Sequence, residues 1–220
     1  RLSLWLVAGV NEPSQGFVDH ALMAGDSVVG FGPGEPAADH ETAKLLRGED
    51  DPCAVRAFHW ELEFPEVFRA GRGARGGFDA VIGNPPWVSY AGRAAQPLDS
   101  SRRRYFLARY ESFAGYRNLQ GLFVERAARL ARPHGRVGLV LPSSMAELDG
   151  YGPTRAAHDR LACCDPDLPD LGEDSFRGVF QPSMVLRSTV RATPLERGSA
   201  APWPLERPDV DAEALAILTQ

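Results

Sequence analysis

An asparagine and two consecutive prolines follow a short apolar run and are themselves followed by a tryptophan. The run extends from Phe78 to Ile82, and Gly83-Asn84-Pro85-Pro86 stops it just before Trp87. A run of this length between turn residues predicts a buried parallel strand, which must end there because proline cannot donate a ladder hydrogen bond. The sequence therefore places an amide side chain, a proline carbonyl and an indole at the carboxyl end of a strand. Open α/β sheets bind their ligands at such ends.

The same residues carry a resemblance to a known family. Asn84-Pro85-Pro86 followed by an aromatic, after the strand FDAVIG, resembles the catalytic motif of the S-adenosylmethionine-dependent amino methyltransferases. The string FHWELEFPEVF, from Phe58 to Phe68, lies just upstream and resembles the adenine-specific DNA methylases of type IIG restriction–modification systems. Together the two motifs imply a fragment of an N6-adenine DNA methyltransferase of the gamma type.

The resemblance also implies a fold class and a domain organisation. We expect an α/β fold, the Rossmann-like sheet of S-adenosylmethionine-dependent methyltransferases, with parallel strands, a C-terminal antiparallel hairpin and a truncated amino terminus. Residues 1–192 would be a partial catalytic domain, and residues 193–220 a linker or the start of a truncated C-terminal region. Residues 136–141 predict a second buried strand, and residues 183–191 alternate as an antiparallel edge strand does.

Family members bind S-adenosylmethionine, and only part of that cofactor site is visible in the sequence. Asp26 resembles the acidic residue at a strand end that accepts a hydrogen bond from the adenine amine of the cofactor; its alternative role is to cap a turn. The Gly-rich turn for the methionine part of the cofactor and the acidic residue for its ribose are missing, and we expect both before Arg1. Phe176 or Phe180 would cover the second face of the substrate base, unless both belong to the core.

The chemistry that the resemblance implies is methyl transfer to the exocyclic amine of adenine. The side-chain carbonyl of Asn84 and the backbone carbonyl of Pro85 could each accept one amine hydrogen and offset the positive charge that develops on nitrogen. Pro85 and Pro86 have a fixed φ, so these acceptors are pre-positioned. Trp87 would stack on the base, which must be flipped out of double-stranded DNA to be reached.

The net charge of −5 conceals a basic middle third. Residues 69–136 contain 13 arginines against 4 acidic residues, whereas the two flanking thirds are acidic. This segment would attract a polyanion such as DNA, and Arg102, Arg103 and Arg104 are candidate substrate-binding residues among interleaved aromatics. The alternative is a solvated arginine-rich surface, which charge alone does not distinguish from a DNA-binding one.

Composition excludes several other classes. The chain has 44% hydrophobic and 24% charged residues, which is ordinary for a globular protein. No apolar run is long enough to cross a bilayer, and the three cysteines fit neither a metal spacing nor a disulfide framework. We therefore expect reduced thiols, no metal, no membrane and a cytoplasmic location. Ser143-Ser144 lacks a His/Asp partnership, which argues against a hydrolase.

Two alternatives stay open at this point. Related families use Asn-Pro-Pro-aromatic chemistry to methylate an RNA base or a protein glutamine, although Trp87 and the upstream aromatic string favour DNA. The missing cofactor loop is also consistent with a non-catalytic remnant of a truncated gene. Partners implied by the resemblance are double-stranded DNA together with nuclease and specificity domains, either fused or separate.

Overall fold

A mixed α/β sheet organises the chain. The computed structural model describes residues 22–31, 57–68, 76–93, 95–173 and 181–206. The helices are α1 (Trp60–Glu63), α2 (Pro65–Phe68), α3 (Ser100–Arg109), α4 (Leu119–Leu130), α5 (Ser144–Glu147) and α6 (Gly152–Leu161), with a 3-10 turn at Asp149–Tyr151. The strands are β1 (Phe78–Gly83), β2 (Ala131–Pro142), β3 (Ala162–Cys164), β4 (Leu168–Gly172), β5 (Ser183–Val190) and β6 (Leu205–Glu206).

The strands lie in the order β1-β2-β5-β4-β6, and β3 pairs with β5. β1 is parallel to β2, with Gly83 opposite Leu139, so the predicted parallel pairing is confirmed. β5 runs antiparallel to β2, which confirms the expected antiparallel element. The prediction that β5 is an edge strand was wrong, because β5 lies between β2 and β4. Met184 and Leu186 on this strand are completely buried, which an edge position does not require.

β1 is parallel as predicted but is not buried as predicted. Ile82 on this strand is 84% exposed, and Asp79 and Ala80 are exposed as well. α4 contacts β1 on one face, where Val81 packs against the core. At the start of the strand, Phe78 contacts the rings of Trp60, Phe64 and Phe68, so only the carboxyl-terminal part of β1 leaves a large apolar side chain exposed. An apolar run alone does not reveal which of its residues are covered.

Two apolar cores meet at α4. The larger lies between α4, α6 and the sheet and includes Val124, Leu141 and Leu186. The smaller surrounds α3 and includes Phe106 and Leu122. Nine of the twelve residues of α4 are buried, so this helix belongs to both cores.

Local signals explain where the helices begin and end. Asn118 caps α4, its side chain accepting a hydrogen bond from the amide of Gly121 at 2.7 Å, and Asp99 caps α3 in the same way through the amide of Arg102. α1 ends at Glu63 and α2 begins at Pro65, because a proline inside a helix breaks it. None of the described helices combines the length and apolar character that crossing a bilayer demands.

Residues 193–206, which the sequence analysis assigned to the linker region, run along α6 and then reach the sheet. Trp203 is buried in the larger core and its amide donates to the carbonyl of Ala146 at 2.9 Å. β6 then pairs with β4. Residues 207–220 lie outside the described part of the chain, so the boundary at residue 192 stays a prediction.

His158 is a completely buried titratable side chain on α6. Its Nε2 lies 3.0 Å from the hydroxyl of Ser188 on β5. Burial lowers the pKa of His158 to about 4, Asp159 raises it and Arg191 lowers it. Burial also raises the pKa of the neighbouring Cys164 thiol to about 12, so this cysteine stays protonated at neutral pH.

The buried histidine predicts a loss of stability in mild acid. The unfolded chain takes up a proton near pH 6.5, whereas folded His158 does so only near pH 4. The free energy of unfolding should therefore fall by about 3 kcal/mol as the pH drops through this window and level off below it. Urea unfolding at a series of pH values measures this, with His158→Gln as the variant that lacks the group. Parallel stability curves for the two proteins would contradict the assignment.

Candidate functional site

The Asn-Pro-Pro turn lies at the carboxyl end of β1. Asn84 is exposed, whereas Pro85 directly after it is buried. The strand ends at Gly83, where the two prolines require it to end. Beyond the prolines, the carbonyl of Val88 accepts a hydrogen bond from the amide of Leu119 at 2.8 Å. The turn is thereby tied to the first residue of α4.

A cavity of about 240 Å³ opens beside this turn. Asn84, Pro85 and Pro86 form one side, and Ser27 approaches from a distant part of the sequence. The remaining lining residues come from β1, β2, α1 and α4, and they are mostly apolar: Trp60, Val81, Ile82, Gly83, Phe123, Arg126, Ala127, Leu130 and Leu139. The cavity is thus lined mostly by apolar groups with a few polar ones among them, which is typical of sites for small organic ligands.

Trp87 is half-buried and is not among the residues that line this cavity. Its indole N–H lies 3.4 Å from the carbonyl oxygen of Val140 on β2, to which it donates. The structure brings Asn84, Pro85 and Pro86 together around the cavity and places Trp87 outside it.

The segment that contains Asp26 packs against the string at residues 58–68. The amide of Phe58 donates to the carbonyl of Val29 at 2.8 Å, and Asp26 forms an isolated parallel bridge with Ala57. The indole N–H of Trp60 donates to the carbonyl of Ser27 at 3.0 Å. The aromatic string resembling the methylases thus contributes packing and also holds Ser27 at the cavity.

Asp26 accepts a hydrogen bond from its own turn and lies near Tyr90. Its carboxylate accepts a hydrogen bond from the amide of Val28 at 3.2 Å, as a turn-forming aspartate does. Burial raises the pKa of Tyr90, the positive charge of Arg102 lowers it, and the negative charges of Asp26 and Asp99 raise it. Asp26 therefore lies close enough to the residues after the Asn-Pro-Pro turn to act on them electrostatically. Its role towards a cofactor stays a prediction.

The three arginines at the start of α3 differ in their surroundings. Arg102 lies 3.6 Å from the carboxylate of Asp99, which partly offsets its charge. Arg103 and Arg104 are exposed on the surface of the helix. Phe176 and Phe180, the candidates for the second face of the base, lie outside the described residues.

Sequence reasoning missed three residues that hold the Asp26 segment in place. Tyr105, Tyr110 and Arg126 are all buried, and each hydrogen-bonds to the backbone between residues 28 and 30 or to one another. One signal was present in the sequence. Arg126 lies four residues after Leu122 and four before Leu130, so a cation interrupts the apolar stripe of α4.

A family model decides what this site belongs to. Residues 2–162 match the model described as Eco57I restriction-modification methylase, and this range includes the Asn-Pro-Pro-Trp turn, the Asp26 segment and α4. The chain belongs to the Eco57I restriction-modification methylase family. Among curated proteins, none matches this chain.

Several solved structures are similar to this Eco57I-family chain. A protein from Listeria monocytogenes assigned as a class I S-adenosylmethionine-dependent methyltransferase is 17% identical, with 65% of this chain and 41% of that chain covered and a TM-score of 0.42. The M protein of the type I restriction enzyme EcoKI is 19% identical, with 52% and 21% covered and a TM-score of 0.35. A modification subunit assigned to a type I restriction enzyme of Vibrio vulnificus is 17% identical, with 70% and 30% covered and a TM-score of 0.38. The chain thus spans less than half the length of each of these proteins.

The Asp26 segment ends at a glycine that tolerates no side chain. Gly30 has a φ of +141°, and a Cβ there would lie 2.0 Å from the carbonyl oxygen of Phe58. We expect Gly30→Ala to lower the free energy of unfolding by about 3 kcal/mol, because backbone strain and a backbone clash add together. Urea unfolding measures the loss.

Gly172→Ala is the matched control for this prediction. Gly172 also has a positive φ, +69°, but a Cβ there meets nothing within 4 Å. Gly172→Ala should lower the free energy of unfolding by about 1 kcal/mol, because it adds backbone strain and no clash. Equal losses in the two variants would contradict the close approach of Gly30 to Phe58.

Proposed function

We propose that this member of the Eco57I family transfers a methyl group from S-adenosylmethionine to the exocyclic amine of a flipped adenine in DNA, within a restriction–modification or phage-defence system. One observation carries the proposal. Asn84 and Pro85, two acceptors at the end of a parallel strand, line one cavity together with Ser27, the neighbour of Asp26. Residues proposed to act on the amine and residues proposed to hold the cofactor are thereby neighbours in space.

The residues around the cavity fit part of such a cofactor. Ligand pockets usually measure roughly 300–1000 Å³, so a volume of about 240 Å³ suits one portion of the cofactor and not the whole molecule together with a base. Phe123 and Leu130 offer an apolar wall, while Ser27 and Asn84 offer polar groups. When bound, S-adenosylmethionine would supply an electrophilic methyl group.

Asn84 and Pro85 prepare the amine to act as a nucleophile. The lone pair of the exocyclic amine of adenine is delocalised into the ring, so the nitrogen is a poor nucleophile. If the Asn84 side-chain carbonyl and the Pro85 backbone carbonyl each accept one amine hydrogen, the nitrogen moves towards tetrahedral geometry and its lone pair localises. The same two oxygens offset the positive charge that develops during transfer.

The base would be held on the exposed side of Asn84. Trp87 is half-buried and fixed by its hydrogen bond to the carbonyl of Val140, so the rest of its ring is oriented in advance. Stacking of a base on an aromatic side chain contributes about 1–3 kcal/mol. This is comparable to the few kcal/mol that flipping a base out of the duplex costs.

Replacement of Asn84 tests the catalytic role. In the full-length protein that contains this chain, Asn84→Ala should lower the rate of tritiated methyl transfer to unmethylated DNA by at least about 100-fold, since one preorganised polar group at the developing charge is removed. Digestion of the labelled DNA to nucleosides identifies the methylated base. N6-methyladenine is the expected product.

Gln96→Ala is the control, because Gln96 is an exposed amide in the segment after the turn and lies outside the cavity. Its methyl-transfer rate should equal that of the wild type. Methyl transfer by Asn84→Ala at the wild-type rate would contradict the catalytic role of Asn84. Offering DNA, ribosomal RNA and release-factor protein side by side separates a DNA methylase from the RNA-base and protein-glutamine alternatives.

The exposed arginines of α3 test the DNA partner. If Arg103 and Arg104 contact phosphates, their joint replacement by glutamine should weaken DNA binding uniformly over sequences and reduce the salt dependence of the association constant. Loss of two contacts changes the slope of log K against log salt by about 2 for duplex DNA. Fluorescence anisotropy between about 50 and 200 mM salt, again with the full-length protein, measures that slope.

Arg136→Gln provides the matched control for charge. Arg136 is also exposed, but it lies in the amino-terminal half of β2, away from the strand end that carries Asn84, and pairs with Asp165 at 2.8 Å. Its replacement should leave the slope unchanged. An identical slope in the Arg103/Arg104 variant and the wild type would remove these two arginines from the DNA-binding surface.

A further inference from the structure

The Asp26–Gly30 segment is held by side chains from α3 and α4. Within the described residues, the backbone of this segment pairs with another segment at two points. These are the bridge between Asp26 and Ala57 and the hydrogen bond from the amide of Phe58 to the carbonyl of Val29. The segment closes on itself through a hydrogen bond from the amide of Val29 to the carbonyl of Asp26 at 3.0 Å. Buried backbone groups require partners, and here side chains supply most of them.

Tyr105 binds both backbone groups of one residue. The amide of Gly30 donates to the Tyr105 hydroxyl at 2.9 Å, and that hydroxyl donates to the carbonyl of Gly30 at 2.8 Å. Both groups are buried. The phenol therefore fixes the last residue of the segment from the direction of α3.

Tyr110 and Arg126 form a relay to the same segment. The Nε of Arg126 donates to the hydroxyl of Tyr110 at 2.8 Å, and this hydroxyl donates to the carbonyl of Val28 at 2.6 Å. A second nitrogen of Arg126 donates to the carbonyl of Gly30 at 3.2 Å. Arg126 is 2% exposed, and its guanidinium lies 5.2 Å from the centre of the Tyr110 ring.

The relay ends at the cavity. Arg126 lines it together with Ser27 and Asn84, so the same side chain contacts the space between them and holds the backbone of the segment. Hydrogen bonds from a charged donor are stronger than neutral ones, and a cation buried to this extent must keep its partners. A displacement of the segment would therefore leave Arg126 with unsatisfied donors.

We propose that Tyr105, Tyr110 and Arg126 form a clamp that positions Asp26 and Ser27 and thereby sets the affinity of the protein for the methyl donor. This inference rests on the proposed function for the identity of the donor. The three residues are positioning residues, because they act through the backbone of the Asp26–Gly30 segment. Their loss should weaken donor binding and leave the transfer step at Asn84 unchanged.

Two conservative variants remove the clamp without emptying the core. Tyr105→Phe and Tyr110→Phe keep the rings and delete the hydroxyls. Tyr151→Phe is the control, since Tyr151 is equally buried and its hydroxyl bonds to Ser144, away from the cavity. Arg126→Gln, with the buried and remote Arg155→Gln as its control, extends the test to the guanidinium.

Hydrogen exchange gives a readout that needs neither cofactor nor activity. In the clamp variants the amides of Val28, Val29 and Gly30 should exchange about tenfold faster than in the wild type, because each variant frees the segment to open. The control variants should match the wild type at these three amides. Unchanged exchange in Tyr105→Phe and Tyr110→Phe overturns the clamp.

Calorimetry and kinetics with the full-length protein test the link to the donor. The Kd for S-adenosylmethionine should rise about tenfold in Tyr105→Phe and Tyr110→Phe, with kcat at saturating donor within about twofold of the wild type. An unchanged Kd, or a fall in kcat at unchanged Kd, overturns the inference. A wild-type protein that binds no S-adenosylmethionine overturns the proposed function, whereas equal binding with and without the hydroxyls overturns the clamp alone.

Discussion

Burial of α4 on nearly all sides is the constraint on which the rest of the described structure depends. This helix contributes to both apolar cores, and most of its polar side chains are buried. Glu125 and Arg126 are buried and charged, so each must find partners inside the protein. Glu125 accepts from the amide of Ser112 and from Arg129, while Arg126 bonds to Tyr110 and Gly30. The sheet, α3 and the Asp26 segment are therefore positioned by packing against this one helix and by hydrogen bonds to its buried charged groups.

The elements nearest this helix were those that the sequence predicted well. Leu119, Leu122, Phe123, Ala127 and Leu130 have helical spacing, and α4 covers these residues. β2 was predicted from a short apolar run and is largely buried, whereas β1, predicted from the same kind of run, leaves Ile82 exposed. The position of β5 could not be predicted in the same way, because alternation along a strand reports which residues face the core and not how many neighbours the strand has. Strand order is set by contacts between distant segments.

The part of the candidate site that the sequence predicted is the stretch in which a reactive amide side chain stands next to two prolines. Asn84, Pro85 and Pro86 lie together at a strand end, as two prolines after an apolar run require. The partners of the Asp26 segment were not predictable, because Tyr105 and Arg126 lie 75 and 96 residues away from Gly30. A tyrosine that binds a remote carbonyl looks in the sequence like any buried aromatic. Of these partners, only Arg126 carried a signal in the sequence, because it interrupts the apolar stripe of a helix.

The exposure of Asn84 raises the question of what holds it in place. Packing of the side chain cannot do so, since the residue is exposed. Pro85 is buried directly after it and has a fixed φ, and the indole of Trp87 is tied to β2 through Val140. Leu119 holds the chain one residue further on. An amide that follows a hydrogen-bonded strand and precedes a buried proline is oriented without being covered, so it can meet a substrate that arrives from solvent while losing little conformational freedom.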